Sequence, residues 1–254
     1  APAVSASGTL TFKTATNVYG TNVLSIVIKD SGGTANGGKD TSAAQTVTIV
    51  VTNVNDAPVI SGITAFAINE DAGTTNKTVL LSDIDTTISS VTLSASSSDT
   101  NLVTVATSGT ATNRTLAITT ATNANGTATI TLIADDGSAT STNSFVLTVN
   151  SVNDIPSYNL STTSITIAED AGSYSLSSFA TNIVVGPSNE SSQTNSFVVT
   201  TTNAAFFATA PAVSPTGTLT FKTATNVYGT NILSIVIKDS GGTANGGHDT
   251  RSEE

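Results

Sequence analysis

Apolar residues along this chain recur at every second position in short runs. "FVLTV" at 145–149 and "TVTIV" at 46–50 alternate cleanly, as a strand with one buried face requires. "ITLIAD" at 130–135 and "SIVIKD" at 25–30 are more continuously apolar, the pattern of an inner strand. Between the runs stand clusters of Asn, Gly, Asp and Ser, which favour turns. No segment carries a sustained apolar stripe of helical period. The middle of the chain predicts seven strands, with cores at 64–68, 76–81, 88–95, 102–107, 114–120, 127–134 and 143–150. Seven short strands in about 100 residues predict an all-β, immunoglobulin-like sandwich.

The pattern also repeats at long range. Residues 1–41 return at 210–250 with four changes, Ala6 to Pro215, Ser7 to Thr216, Val23 to Ile232 and Lys39 to His248. Inside that period lies a weaker repeat: "VNDAP" (54–58) returns as "VNDIP" (152–156), and "NEDAG" (69–73) as "AEDAG" (168–172). Two alternating domain types arranged end to end follow. Residues 1–57 are expected to supply strands E to G of a type-1 repeat and 58–155 a complete type-2 domain. Residues 156–254 then form a type-1 repeat without its last strand. An unfinished edge of this kind invites pairing. It reflects either a window cut from a longer array or head-to-tail exchange of a strand between chains.

Composition narrows the function. Of 254 residues, 10% are charged, and 18 acids against 8 bases give a net charge of −10, which argues against nucleic acid or an anionic membrane as partner. No apolar run has the length of a membrane span. With no Cys and a single His, His248, whose counterpart is Lys39, no nucleophile–base pair is visible, and an enzyme is not expected.

The acids are not scattered. Fourteen of the eighteen fall in the repeated words or at strand ends. If odd-lettered strands run down and even-lettered strands up, Asp83, Asp85, Asp135 and Asp136 gather at the top of the middle domain, where Asn55 and Asp56 enter. Glu70 and Asp71 lie at the bottom, where Asn153 and Asp154 leave. Clustered carboxylates repel one another by about 1 kcal/mol per pair at 4 Å even in water, and the chain has too few cations to neutralise them. A hard divalent ion with all-oxygen ligands, calcium before magnesium, is the expected cofactor. "DIDTT" lacks the glycine and final glutamate of an EF-hand loop. Repeated acids at domain ends also fit linkage better than a glycosidase cleft.

In these words the chain resembles cadherin-like tandem repeats of giant bacterial surface adhesins: "INEDAGT" (68–74) after strand A, "DID" (83–85), "ADDG" (134–137) ending strand F, and the "VNDAP"/"VNDIP" linkers. The resemblance implies calcium between successive domains and an extracellular, surface-located rod. Carried over, the upper junction would use Asn55, Asp56, Asp83, Asp85 and Asp135. The lower would use Glu70, Asn153, Asp154 and Asp239, with Glu169 and Asp30 as the matching acids of the outer segments. The second type-1 copy reads "FATNIVVGPSNESS" (179–192), without Asp-x-Asp, so its junction is expected to hold fewer ions and to bend more readily. Asn182 and Glu190 are the available substitutes. The function expected is a structural extender whose partners are neighbouring repeats and, through other parts of the protein, a host or environmental surface. Alternatives are a fibre subunit joined by strand complementation, or a carbohydrate- or surface-binding module. Pro58 and Pro156 stiffen the linkers whether or not metal binds.

Overall fold

The structure, a computed structural model, describes residues 1–253; Glu254, the last residue of the third segment, lies outside them. Strands dominate throughout, joined by turns and four short 3₁₀ turns. No helix among the described residues is long and apolar enough to cross a membrane.

The first segment contains β1 (Ala3–Val4), β2 (Leu10–Thr11), β3 (Gly20–Ile26) and β4 (Gln45–Val51). β1 pairs with β2 and β3 with β4, both antiparallel. Among the described residues no second sheet faces this hairpin, and Val47, whose counterpart in the middle domain is the core residue Phe145, stays open to solvent, as do Val23 and Val50 on the other face.

Residues 59–150 form two four-stranded sheets. The strands are β5 (Val59–Ser61), β6 (Phe66–Asn69), β7 (Thr74–Ser82), β8 (Thr92–Ser97), β9 (Val103–Ser108), β10 (Asn113–Thr120), β11 (Gly126–Asp135) and β12 (Thr140–Asn150). They are ordered β5-β7-β10-β9 in one sheet and β6-β12-β11-β8 in the other. The inward positions of both, including Val79, Leu116, Ile130, Leu132 and Leu147, make one dry core. The first strand expected at 64–68 is β6, and β5 before it is an eighth strand that the pattern did not predict. β5 pairs with β7 in one sheet and β6 runs parallel to β12 in the other, with Phe66 opposite Leu147. The crossing includes Gly62 at φ 82°, a conformation that costs glycine nothing. Arg114 is buried and donates to the carbonyls of Gly109, Ile88 and Val91, so its charge is met by backbone dipoles.

The third segment contains β13 (Ser157–Leu160), β14 (Ser173–Leu176), β15 (Ala180–Val184), β16 (Asn195–Thr201), β17 (Phe207–Val213), β18 (Leu219–Thr223), β19 (Leu233–Asp239) and β20 (Thr250–Glu253). β13 pairs with β15, β14-β18-β17 form a sheet, and β16-β19-β20 form its opposite. Its core is built from Phe179, Leu219, Phe221, Ile235, Ile237 and Tyr158, whose hydroxyl donates to the Ile235 carbonyl at 2.7 Å. Two departures from the sequence expectation matter. A last strand exists, but β20 is short and opposes only Ile235–Lys238 of β19. Residues 164–168, which correspond in sequence to the β6 region, form no strand, and no described residue pairs with them.

Candidate metal centres at the domain junctions

At the upper junction the backbone N–H of Asp56 donates to Asp85 Oδ2 at 2.7 Å, and Asn55 Nδ2 donates to Asp136 Oδ2 at 2.9 Å. The linker is thus tied to the loops after β7 and β11, the two places strand parity points to. Asp83 Oδ1 accepts from the N–H groups of Asp85 (2.9 Å) and Thr86 (2.7 Å), an Asx turn that the local sequence favours. Its other oxygen, Oδ2, is buried without a partner. Asp135 Oδ1 accepts from Gly137 N–H at 2.7 Å. Asp136 is held below the usual carboxylate range, first by the Asn55 side-chain bond and then by the N–H groups of Ala139 and Ser138.

The lower junction is drier. Glu70, Asn153, Glu190 and Asp239 are all buried, as is Pro156. Asn153 Nδ2 donates to Asp239 Oδ1 at 3.0 Å and to the His248 carbonyl at 2.7 Å, while its Oδ1 accepts from Gln193 Nε2 at 2.7 Å. The backbone N–H of His248 closes the ring on the Asn153 carbonyl at 3.0 Å. Glu70 accepts from Val152 N–H (2.8 Å) and from Asn189 Nδ2 of the next domain (3.2 Å). Two further amides cross the junction: Asn69 Nδ2 donates to the Asn245 carbonyl (3.1 Å), and Asn245 Nδ2 to that of Ser151 (3.0 Å).

Glu190, lying in a 3₁₀ turn (Ser188–Glu190), accepts the Asp154 N–H through Oε1 at 3.1 Å and Oε2 at 3.3 Å. Glu190, one of the two substitutes named from the sequence, does for Asp154 what Asp85 does for Asp56. The acid sits 36 residues after its linker partner instead of 29, so no Asp-x-Asp word marks it. Asn182, the other substitute, is exposed on β15. Burial raises the Glu190 carboxyl above its ordinary range, and the charges of Asp154, Asp239 and Glu70 push the same way against the stabilising Asp154 N–H. Asp154 is also raised, by burial and then by Asp71. Between them lies the Asn123 amide: with its nitrogen facing both carboxylates it donates to Asp71 Oδ2 at 3.3 Å and Asp154 Oδ2 at 3.2 Å.

The remaining candidates stand apart from a linker. Asp30 is exposed and caps its own turn through Gly32 N–H at 2.7 Å, and Glu169 is exposed at the far end of the third segment. Gln193, Asn195 and Asn189 are junction residues that sequence reasoning missed. Nothing acidic or repeated marks them.

The donor chemistry fits a hard cation, since both junctions present carboxylate, amide and carbonyl oxygens with no thiolate. Buried oxygens without partners occur at each: Asp83 Oδ2 above, and Asp239 Oδ2 together with the Gln193 and Asn195 side-chain oxygens below. Such atoms are costly unless something positive meets them. Yet among the described residues no three His, Cys, Asp or Glu side chains converge into a ready-made metal cage.

No protein-family model and no curated protein matches this sequence. Among solved structures, the chain is similar to human protocadherin-24 EC1-2, with a TM-score of 0.51 and 16% identity over 79% of this chain and 95% of that one. A surface layer protein, SbsC domains 1-6, matches at TM-score 0.34 and 14% identity over 100% of this chain and 31% of that one. An endo-fucoidan hydrolase of glycoside hydrolase family 107 matches at 0.33 and 15%, over 99% of this chain and 36% of that one. The chain thus spans about a third of the hydrolase, and likenesses this weak do not bear on its fold. The two facing sheets and the protocadherin likeness agree: this is an all-β protein built on an immunoglobulin-like, cadherin-like sandwich.

Proposed function

We propose that the chain is a non-enzymatic extender segment of an extracellular adhesin or surface fibre, in which tandem sandwiches are held in line at their junctions by calcium. The observation that carries this reading is the set of buried, unpartnered oxygens at the points where linkers enter domains, Asp83 Oδ2 above and Asp239 Oδ2 below. Carboxylates gathered there repel one another, and a cation would remove that cost while drawing linker and loops together. Asp56, Asp83, Asp85 and Asp135 would serve the upper site, and Glu70, Asp154, Glu190 and Asp239 the lower. Asn153 acts differently: its amide is fully engaged with protein groups and so orients the linker. The cadherin-like fold and the repeated linkers favour a load-bearing module, and a surface location follows from the same reading.

The test is calcium titration by calorimetry, with small-angle scattering and melting recorded in calcium and in chelator. Saturable binding, a longer and narrower distribution of dimensions, and a higher melting temperature are expected with calcium. Absence of binding, with identical scattering and melting in chelator, would remove the mechanism.

A further inference from the structure

The two poles that meet at the lower junction carry features that belong to one repeat type only, and these features are not acids. At the lower pole of the middle domain β6 runs parallel to β12 and ends with Asn69 opposite Asn150. Asn150 Nδ2 donates to Asn69 Oδ1 at 3.2 Å. That bond settles which way the Asn69 amide is turned, and its nitrogen donates across the junction to the Asn245 carbonyl at 3.1 Å. Aligned through the "EDAG" and "VND" words, the two positions are Ala168 and Thr52 in the other repeat type. Alanine has no side-chain donor or acceptor, so a pole of that type can form neither bond.

The upper pole of the third segment is distinctive in the same way. Only residues 136–139 join β11 to β12 in the middle domain, whereas residues 240–249 join β19 to β20. The longer loop, with its 3₁₀ turn at Ala244–Gly246, folds over the linker. Asn245 Nδ2 donates to the Ser151 carbonyl at 3.0 Å, and the backbone of His248 both donates to and accepts from Asn153. A Cβ at Gly247 would stand 2.8 Å from the Asn153 backbone nitrogen, so the approach is one that only glycine permits. From the neighbouring loop Asn189 Nδ2 reaches Glu70 Oε2 of the middle domain at 3.2 Å, and "DIDTT" at 83–87 offers no such amide.

We propose that the upper pole of the third segment is a recognition surface for the lower pole of a middle-type domain, which it accepts in preference to a pole of its own type and holds in line without metal. Asn69 is the discriminating residue on one side, and the Asn245 loop is its complement on the other. A pole of the other type would set Ala168 against the Asn245 carbonyl and leave that carbonyl without its cross-junction donor. Specificity here is the difference between a bond made and a bond missing. The succession of one repeat type by the other thereby has a physical basis in the joint itself. The bond between Asn69 and Asn245 joins an amide to a carbonyl, so this inference does not rest on calcium and would stand if calcium failed to bind.

The test uses the full chain in chelator. Residual dipolar couplings report whether the middle domain and the third segment share one alignment, and hydrogen exchange reports the protection of the His248 N–H that bonds Asn153. One shared alignment and a protected His248 are expected for the parent. Asn69→Asp keeps an acceptor for Asn150 and loses the donor to Asn245, while Asn69→Ala combined with Asn150→Thr installs the pair of the other repeat type. Either should lower His248 protection by about three- to tenfold, with the core amide of Leu132 unchanged. Should Leu132 lose protection too, Asn245→Gly decides. It tolerates the φ of 58° and keeps the carbonyl, lies outside the middle domain, and removes only the bond to Ser151, so the same fall at His248 is expected. Separate alignments in the parent overturn the proposal. So does His248 protection that stays within about twofold of the parent in both Asn69 variants, or in Asn245→Gly where that variant decides.

Discussion

Asn153 donates from Nδ2 to Asp239 Oδ1 at 3.0 Å, with both residues buried. A linker residue of one domain thereby completes the end of a strand in the next. The equivalent linker residue, Asn55, is exposed and donates to Asp136 Oδ2 and to the adjacent Asp56 carbonyl. The same word therefore makes a socketed joint at one junction and a lighter tether at the other.

Asn153→Ala should lower the stability of the third segment by about 2–4 kcal/mol. It removes one of the two donors to the buried Asp239 Oδ1 and the partners of Gln193 Nε2 and the His248 carbonyl. Asn55→Ala, at an exposed site, should cost no more than about 1 kcal/mol. Denaturant melting of the full chain checks the contrast, and equal losses would mean that Asn153 is not a structural joint.

Gly241 and Gly32 occupy the same place in identical loops, "SGGTANGG". A Cβ at Gly241 would stand 1.6 Å from Asn153 Oδ1, whereas at Gly32 the nearest atom is Asp30 Oδ1 at 3.0 Å. Gly241→Ala should therefore destabilise by about 1–3 kcal/mol through overpacking. Gly32→Ala should be far milder, and thermal melts of the two variants decide.

Stability in chelator should depend on pH with a definite sign. Glu190, with an ordinary value of 4.5, and Asp154 both hold protons more tightly folded than unfolded. Their contribution is thus most favourable at low pH and falls as pH rises through the raised values. Asp136 runs the other way: its pKa is lowered, so its contribution is present above the ordinary aspartate value and lost on acidification. Melting of the third segment in chelator should decline as pH rises above 4.5, and saturating calcium should flatten that decline.

Glu190→Gln separates charge from hydrogen bonding. The amide oxygen can still accept the Asp154 N–H, while one of the four neighbouring negative charges is gone. In chelator the variant should be as stable as the parent or more so near neutral pH, and the pH decline should shrink. Its calcium-induced rise in melting temperature should fall. An unchanged calcium response would exclude Glu190 from the lower site.

Asp83→Asn tests the upper site by the same logic. The turn bonds to Asp85 and Thr86 are open to an amide oxygen, so stability in chelator should change by less than about 1 kcal/mol. Calcium affinity measured by calorimetry should fall at one site and persist at the other.

The sequence by itself determined the sandwich, most of its strands and the ends at which the acids gather. A period of two and a turn cluster are local properties, and parity then sends alternate loops to opposite poles. Contacts made across the junction were beyond its reach. Glu190 takes the post of Asp85 from a longer form of the same loop, Asn153 is buried where Asn55 is exposed, and Gly241 is crowded where Gly32 is free. The two asparagines and the two glycines have similar or identical local sequences and meet different neighbours. The unpredicted strand β5, and the failure of residues 164–168 to become a strand, have the same cause. A strand forms only where another backbone offers its hydrogen bonds, and only the folded arrangement decides which backbone is there.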